Sequence, residues 1–286
     1  MSLKKLIMRV FAGIILLGGI GLMAFPLAGN LLFERRQENL SQYYEEIAAN
    51  LPQEERSSQL EECDEYNRAL KERGTFLADP FGDEKSNYSK TVYNSLLNLN
   101  GDGVMGSIEV PGITGNLVIY HSVEEEVLQK GVGHLPGSSL PVGGIGTHSV
   151  LSAHSGLSSK KLFTNLDRVE KGDVFYLHIL GETLAYQVNR ISIVLPTEAL
   201  DDLRIDSNRD YVTLITCTPY GINSHRLLIR GTRIPYEEAR QIEEEQMGSV
   251  STWREKYIKA FFVGAGIISV IILIILMRRR TKQRRR

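Results

Sequence analysis

The chain has 286 residues, of which 42% are hydrophobic and 23% are charged, and its formal net charge is −1. Ten basic residues lie at the two ends, and removing them leaves 23 Lys and Arg against 34 Asp and Glu, a net charge of −11. An acidic central part argues against nucleic acid as a partner.

The first predicted element is a membrane span. Val10 to Phe33 contains no charged residue and follows Lys4, Lys5 and Arg9. It exceeds the roughly 20 helical residues that cross the hydrocarbon layer. A cleaved signal peptide is the alternative, but Phe25–Gly29 lacks a good cleavage site with two small residues. The sequence therefore favours an uncleaved anchor.

Glu34 to Arg73 is predicted to form two amphipathic helices with a break at Asn50–Pro52, because apolar residues recur there at helical spacing. This segment either docks on the domain that follows or forms a solvated spacer. Cys63 lies within it, among acidic residues, and is interpreted as incidental. Leu77 to Gly82, taken alone, is an ordinary Pro/Gly turn.

The central part is rich in short β-branched and aromatic runs punctuated by turn residues, which predicts a closed barrel or a sandwich. Between them only Lys160 to Val169 is predicted to be helical. The predicted strands are Val104–Val110, Leu117–Tyr120, His148–His154, Val174–Leu180, Leu184–Leu195, Tyr211–Cys217 and Arg226–Ile234.

Cys217 ends an apolar, β-branched run, and Arg226 follows one short hairpin later. A lone cysteine is most often a small buried hydrophobe. A thiol beside a guanidinium, however, also suits a nucleophile with a built-in anion stabiliser. His154 stands where a strand runs into a glycine turn, a position from which a loop can present it. The other histidines are interpreted as structural: His121, His134, His148, His178 and His225.

Ala260 to Met277 is a second predicted span, with Trp253 and Tyr257 before it and a basic tail after it. Positive charge at both ends of the chain predicts that both termini are cytoplasmic. The two-pass protein would thus present Glu34 to Tyr257 on the outer face of the cell membrane.

Thr213–Cys217 matches the Thr-Leu-x-Thr-Cys signature, and with Arg226 after an Asn-x-His step the chain resembles the sortase family of cysteine transpeptidases. The resemblance implies that His154, Cys217 and Arg226 are catalytic. It also implies a mainly β fold, a sortase-like eight-stranded β-barrel with N-terminal helices and two terminal transmembrane helices.

Within that family, Asp79, Pro80 and Phe81 resemble the lid motif of class C, the pilus-assembling sortases. The resemblance implies that Asp79 pairs with Arg226 and that Phe81 covers Cys217. It extends through Ile119–Ser122, Gly131–Gly137 and Lys161–Asp167. It departs from many class C members beside His154, where Ala153 and Ser155 stand in place of Gly and Arg.

The resulting domain prediction has six segments: 1–33 anchor, 34–76 helical linker, 77–84 lid, 85–236 catalytic barrel, 237–259 juxtamembrane segment and 260–286 second span with the basic tail. No zinc-type cysteine and histidine spacing or nucleotide-binding glycine loop is present, so neither metal nor organic cofactor is expected.

The function implied by the resemblance is cleavage of a Leu-Pro-x-Thr-Gly-like sorting signal through a thioacyl-enzyme. The acyl group would then pass to a lysine amine of a pilin subunit. The expected partners are pilin subunits or surface proteins that carry such signals. The chain itself lacks this motif before its second span, so it resembles the enzyme rather than its substrate. A housekeeping sortase that attaches proteins to the cell wall, a cysteine hydrolase and a non-catalytic membrane-tethered scaffold remain alternatives.

Overall fold

A computed structural model describes residues 3–74, 77–82, 90–157, 159–246 and 258–268 of the chain. The chain divides into two compact units, Met1–Glu244 and Glu245–Arg286. The described residues of the second unit are 245–246 and an apolar helix, Ile258–Ile268.

The first unit is built around a closed, mixed β-barrel whose strand order is β1-β2-β3-β4-β7-β8-β6-β5. The pairs β2–β3 and β4–β7 are parallel, and the other neighbours are antiparallel. The strands are β1 Val104–Glu109, β2 Leu117–His121, β3 Val132–His134, β4 Thr147–Ser152, β5 Val174–Ile179, β6 Glu182–Val194, β7 Asp210–Thr218 and β8 His225–Ile234.

Each of the seven predicted strands is present within a few residues of its expected bounds. The strand that the sequence does not predict is β3, which has only three residues, one of them glycine. It is fully buried between β2 and β4, where Gly133 admits the close approach of a carbonyl oxygen from Ser122.

Two long helices precede the barrel, α1 Leu3–Asn50 and α2 Gln53–Arg73. The predicted break at Asn50–Pro52 is confirmed. Both helices dock on the barrel instead of forming a solvated spacer: Tyr44 and Cys63 are buried, and the Tyr44 hydroxyl donates a 2.6 Å hydrogen bond to a barrel carbonyl. Because α1 is continuous, the predicted anchor and the docked segment form one helix.

Within the described residues, one helix is long and apolar enough to cross a membrane, and it covers Phe11–Asn50. The predicted second span, Ala260–Met277, lies partly outside the described residues.

The helix predicted at Lys160–Val169 is wrong. This segment forms turns and one short 3-10 helix at Leu166–Arg168. Leu162 has a φ of 36°, which an α-helix does not allow. Leu162, Phe163 and Leu166 are nonetheless buried in the main core, so the apolar spacing reflects a loop packed onto the barrel.

Three shorter helices complete the first unit: α3 Lys90–Ser95, α4 Glu125–Leu128 and α5 Tyr236–Gln246. Helix α4 lies in the connection between the parallel strands β2 and β3. From Glu237 onward, α5 falls in the predicted juxtamembrane segment 237–259. In the structure Ala239 of α5 is buried against Val174, Tyr176 and Ala185 of the barrel.

Candidate active site

The barrel brings Cys217 and Arg226 side by side. Cys217 is the penultimate residue of β7 and Arg226 the second residue of β8, and the antiparallel register pairs them directly. Nη1 of Arg226 lies 3.5 Å from Sγ of Cys217. Both residues are buried, with 8% and 6% of their surface exposed. The sequence places Arg226 one hairpin after Cys217, and in the structure the two side chains are in direct contact.

Asp79 closes over this pair. Its carboxylate accepts hydrogen bonds from Nε of Arg226 at 2.9 Å and from Nη2 at 2.6 Å. Such a two-pronged geometry suits the planar guanidinium fork. Burial alone would lower the pKa of Arg226, but the bonds to Asp79 raise it above its ordinary value.

Phe81, two residues later, fills the space beside the guanidinium. The Cζ atom of Arg226 lies 5.2 Å from the centre of the Phe81 ring, within cation–π range. The centre of the same ring lies 5.8 Å from the centre of the His154 imidazole. Phe81 also packs on a small apolar cluster of barrel residues that includes Leu135 and Ile215. The turn Asp79–Phe81 is thus held to the barrel by one ion pair and one aromatic ring.

His154 lies two residues beyond the end of β4, as the sequence analysis expected for a loop-borne histidine. Its Nε2 atom lies 3.2 Å from both carboxylate oxygens of Glu125 in α4. Between His154 and Cys217, both within the described residues, no hydrogen bond is formed. The site therefore holds its three expected residues at one end of the barrel, with the imidazole turned to a carboxylate.

Sequence reasoning missed Glu125. The acidic run Glu124–Glu126 was visible, but nothing in the sequence connects α4 to a strand end 29 residues later. The hydrogen bond from Gln129 and then the attraction of His154 lower the pKa of Glu125. At 67% exposure the Glu125 side chain is well solvated, so its attraction to His154 is strongly screened.

The thiol of Cys217 is held in its neutral form in this arrangement. Burial raises its pKa above the ordinary value, the charge of Arg226 opposes that shift, and the carboxylate of Asp79 reinforces it. The thiolate is the nucleophilic form of cysteine, so Cys217 is a weak nucleophile while the site is closed.

His134 and His148, both buried on strands, have structural surroundings. His134 is fully buried and lies 2.8 Å from the hydroxyl of Tyr93 and 2.8 Å from the carbonyl oxygen of Ser139. Burial lowers the pKa of His134 to about 3 and that of His148 to about 4, so both rings are neutral at physiological pH.

Cys63 is not incidental to the fold, because it is fully buried in the main hydrophobic core. It and Cys217 are both free thiols. Burial raises the pKa of Cys63 to about 12, which keeps this second thiol unreactive. Among the described residues there is no cluster of three or more His, Cys, Asp or Glu side chains suited to a metal ion.

Comparison with known proteins agrees with this geometry. The sortase-domain family model matches residues 108–234, which include β2 to β8 and all three expected catalytic residues. Sortase A of Streptococcus agalactiae serotype III (strain NEM316) is 28% identical over 63% of this chain and 69% of its own length.

Solved structures match a larger share of the chain than the family model does. Sortase C of Streptococcus pneumoniae is 40% identical with a TM-score of 0.64, covering 69% of this chain and 97% of that one. The pilus-related sortase C of Group B Streptococcus is 41% identical with a TM-score of 0.62. The match covers 69% of this chain and 98% of that one. The chain belongs to the sortase family of cysteine transpeptidases, and it is most like the class C members of that family.

Proposed function

We propose that this protein is a pilin-polymerising transpeptidase that cleaves a Leu-Pro-x-Thr-Gly-like sorting signal and joins the threonine carbonyl to a lysine amine of a pilin subunit. The observation that carries this proposal is the ion pair between Asp79 and Arg226, the residue that contacts the thiol, with Phe81 beside the guanidinium. The similarity to a pilus-related sortase C supports the choice of pilin as substrate.

The first chemical step is acylation of Cys217. Its thiolate attacks the threonine carbonyl carbon, and the carbonyl oxygen becomes an oxyanion that accepts hydrogen bonds from Arg226. When this tetrahedral intermediate collapses, the Thr–Gly bond breaks and His154 gives a proton to the departing glycine amine. A thioester to Cys217 and a free amino-terminal glycine result.

The second step is transfer to the acceptor. The lysine amine attacks the thioester carbon, His154 takes the proton that this amine loses, and the Cys217 thiolate leaves. An isopeptide bond forms and the free enzyme is restored. Neither step changes the oxidation state of any atom, so no redox partner is required.

The closed turn has to move before this chemistry begins. With Nε and Nη2 of Arg226 bound to Asp79, only Nη1 contacts the thiol, and the Phe81 ring lies close to both the guanidinium and the imidazole of His154. We therefore propose that Asp79, Pro80 and Phe81 act as a lid whose opening releases Arg226 to the substrate. The enzyme at rest would be self-inhibited.

The proposed location is the outer face of the cell membrane, with both termini cytoplasmic. Support comes from the apolar first part of α1, with Lys4, Lys5 and Arg9 before it, and from the basic tail after the second apolar segment. The barrel would then meet its substrates outside the cell.

The test is a product assay with two amines. The full chain in detergent is incubated with a Leu-Pro-x-Thr-Gly peptide and either a lysine-bearing pilin fragment or an oligoglycine, which represents a cell-wall peptide amine. Mass spectrometry of the product should show an isopeptide bond to the pilin lysine. Preferred transfer to oligoglycine would instead identify a housekeeping sortase, and release of the free acid in the presence of both amines would identify a hydrolase.

A further inference from the structure

The path of α1 along the barrel wall shows which end of the barrel faces the membrane, given the anchoring proposed above. The side chain of Gln37 accepts a 2.8 Å hydrogen bond from the backbone N–H of Val118, in the first part of β2. Eleven residues later, Ala48 lies against Gly181 in the turn between β5 and β6. The strand register puts the start of β2 toward the Cys217 end and this turn at the opposite end. Helix α1 therefore runs from the Cys217 end toward the opposite end.

Followed backwards, α1 leaves the barrel at the Cys217 end. Gly29 precedes Gln37 by eight residues, or about 12 Å of helix. It lies against Ser159 of the loop between β4 and β5, so closely that a Cβ at Gly29 would be 2.8 Å from the Cβ of Ser159. Val10 to Gly29 is an uncharged stretch of about 20 residues, long enough to cross the hydrocarbon layer. The outer membrane boundary is thereby placed near Ser159.

The same end of the barrel carries exposed apolar side chains. Ile193 and Leu195 lie at the end of β6, and Tyr220 and Ile222 lie in the turn between β7 and β8. Their exposed fractions are 63%, 46%, 63% and 71% respectively. We call these four residues the apolar rim.

The apolar rim is connected in space to the point where α1 leaves the barrel. The Tyr220 ring lies beside Gly156, where a Cβ would be 3.4 Å from its Cε2 atom. Gly156 stands three residues before Ser159 in the same loop, and Ser159 contacts Gly29. Tyr220 of the rim, the loop and the end of the apolar helix segment thus adjoin one another, at the same end of the barrel as Ile193, Leu195 and Cys217.

We infer that the apolar rim contacts the outer surface of the lipid bilayer, so that the Cys217 site opens at the membrane surface instead of into bulk solvent. Exposed aliphatic and tyrosine side chains are stabilised at the boundary between headgroups and acyl chains. Because α1 runs without a break from the proposed membrane span to the barrel, it keeps the rim close to the bilayer. The effective concentration of lipid at the rim is therefore high, and even a weak apolar contact with lipid is favoured. The bilayer would then set the orientation of the barrel, which a single helix alone leaves free to tilt.

The experiment places a fluorescent label on the rim. Ile222→Cys is made in the full chain carrying Cys217→Ala, while Cys63 is retained because it has no exposed surface. The labelled chain is reconstituted into vesicles of phosphatidylglycerol and phosphatidylcholine, with and without a phosphatidylcholine that bears a nitroxide on its acyl chain. The matched control is Ile145→Cys, an isoleucine with 74% exposure just before β4, at the opposite end of the barrel.

The expected result is a blue-shifted emission at position 222 that the nitroxide lipid quenches, with no quenching at position 145. Adding a soluble Leu-Pro-x-Thr-Gly peptide should leave the quenching unchanged, because the rim is assigned to lipid. Protection by that peptide would assign the rim to the substrate and overturn the inference. Equal quenching at both positions, or none at position 222, would overturn it as well.

Flotation of the same vesicles separates this inference from the proposed function. A chain that floats with the vesicles but shows no quenching at position 222 keeps its proposed anchor and loses the proposed orientation. A chain that does not float is not anchored by α1. The proposed membrane location and the proposed lipid contact of the apolar rim then both fail.

Discussion

The carboxylate of Asp79 and the guanidinium of Arg226 are joined by two hydrogen bonds of 2.9 and 2.6 Å, although 147 residues separate them in the chain. Their side chains are only 15% and 7% exposed. A buried pair of this kind costs desolvation energy and stabilises the fold weakly, but breaking one partner alone is strongly unfavourable. The ion pair therefore holds the turn in one defined position, and its removal should release that turn.

The double variant Asp79→Ala with Phe81→Ala should open the site. Alkylation of Cys217 and cleavage of a soluble sorting-signal peptide should both become faster, because a larger fraction of molecules is in the competent state. The melting temperature should fall, since losing the partner of a buried charge costs about 3–5 kcal/mol. Both effects are measured by iodoacetamide kinetics and thermal unfolding.

The matched control for this variant is Asp202→Ala, which removes a 2.9 Å ion pair with Arg190 away from the thiol. It should leave alkylation unchanged. Equal alkylation rates in the wild type and in the Asp79 and Phe81 variant would show that the turn is not a lid.

The pH dependence of alkylation should also change. Burial and the Asp79 carboxylate raise the pKa of Cys217 above its ordinary value, against the opposing charge of Arg226. Asp79→Asn removes the negative charge, so the thiolate should form at lower pH than in the wild type. The rate of iodoacetamide labelling, followed from pH 5 to pH 10, should therefore rise earlier in the variant. A midpoint that stays in place or moves upward contradicts the assigned role of Asp79.

Arg226→Lys should lose most of the transpeptidase activity although the positive charge remains. A compact ammonium cannot reproduce the planar fork of donors, and the loss of one oxyanion donor costs about 2.7–4 kcal/mol, or a hundredfold or more in kcat. The control is Arg230→Lys, on the same strand, where the guanidinium lies over Tyr211 and bonds to Asn189. A near wild-type kcat for Arg226→Lys would limit this residue to a structural role.

Glu125→Gln tests the contact that sequence reasoning missed. Since the Glu125 carboxylate is largely exposed, its pairing with His154 should be worth no more than about 1 kcal/mol, or roughly a fivefold loss of kcat/KM. The neighbouring change Glu126→Gln should have no effect. A loss as large as that of Arg226→Lys would mean that Glu125 takes part in the chemistry directly.

The contact between Cys217 and Arg226 could be predicted from sequence because the motif on β7 and the hairpin to β8 are local. Cys217 and Arg226 are paired by the register of adjacent strands, which alternating apolar residues and turn chemistry specify. Asp79 required the class C resemblance, because nothing in a Pro/Gly turn indicates a partner far along the chain.

The errors have physical causes in tertiary packing. In Lys160–Val169 the buried positions mimic a helical pattern, although the segment is a loop pressed onto the barrel. Strand β3 is too short to show a period, and Cys63 is buried by docking of α2 despite its acidic neighbours. The loop, the short strand and the buried cysteine all depend on contacts with the folded barrel, which residues near them in sequence do not reveal.

The most direct test of the account is the intact mass of the full chain after incubation with a soluble Leu-Pro-x-Thr-Gly peptide in the absence of an acceptor amine. We expect an added mass equal to that of the peptide truncated after threonine less one water, located at Cys217 and removed by hydroxylamine. The adduct should form with Cys63→Ala and be absent with Cys217→Ala, which changes volume little and should leave the barrel folded. An adduct that persists in Cys217→Ala, or peptide cleavage by that variant, would contradict the central claim.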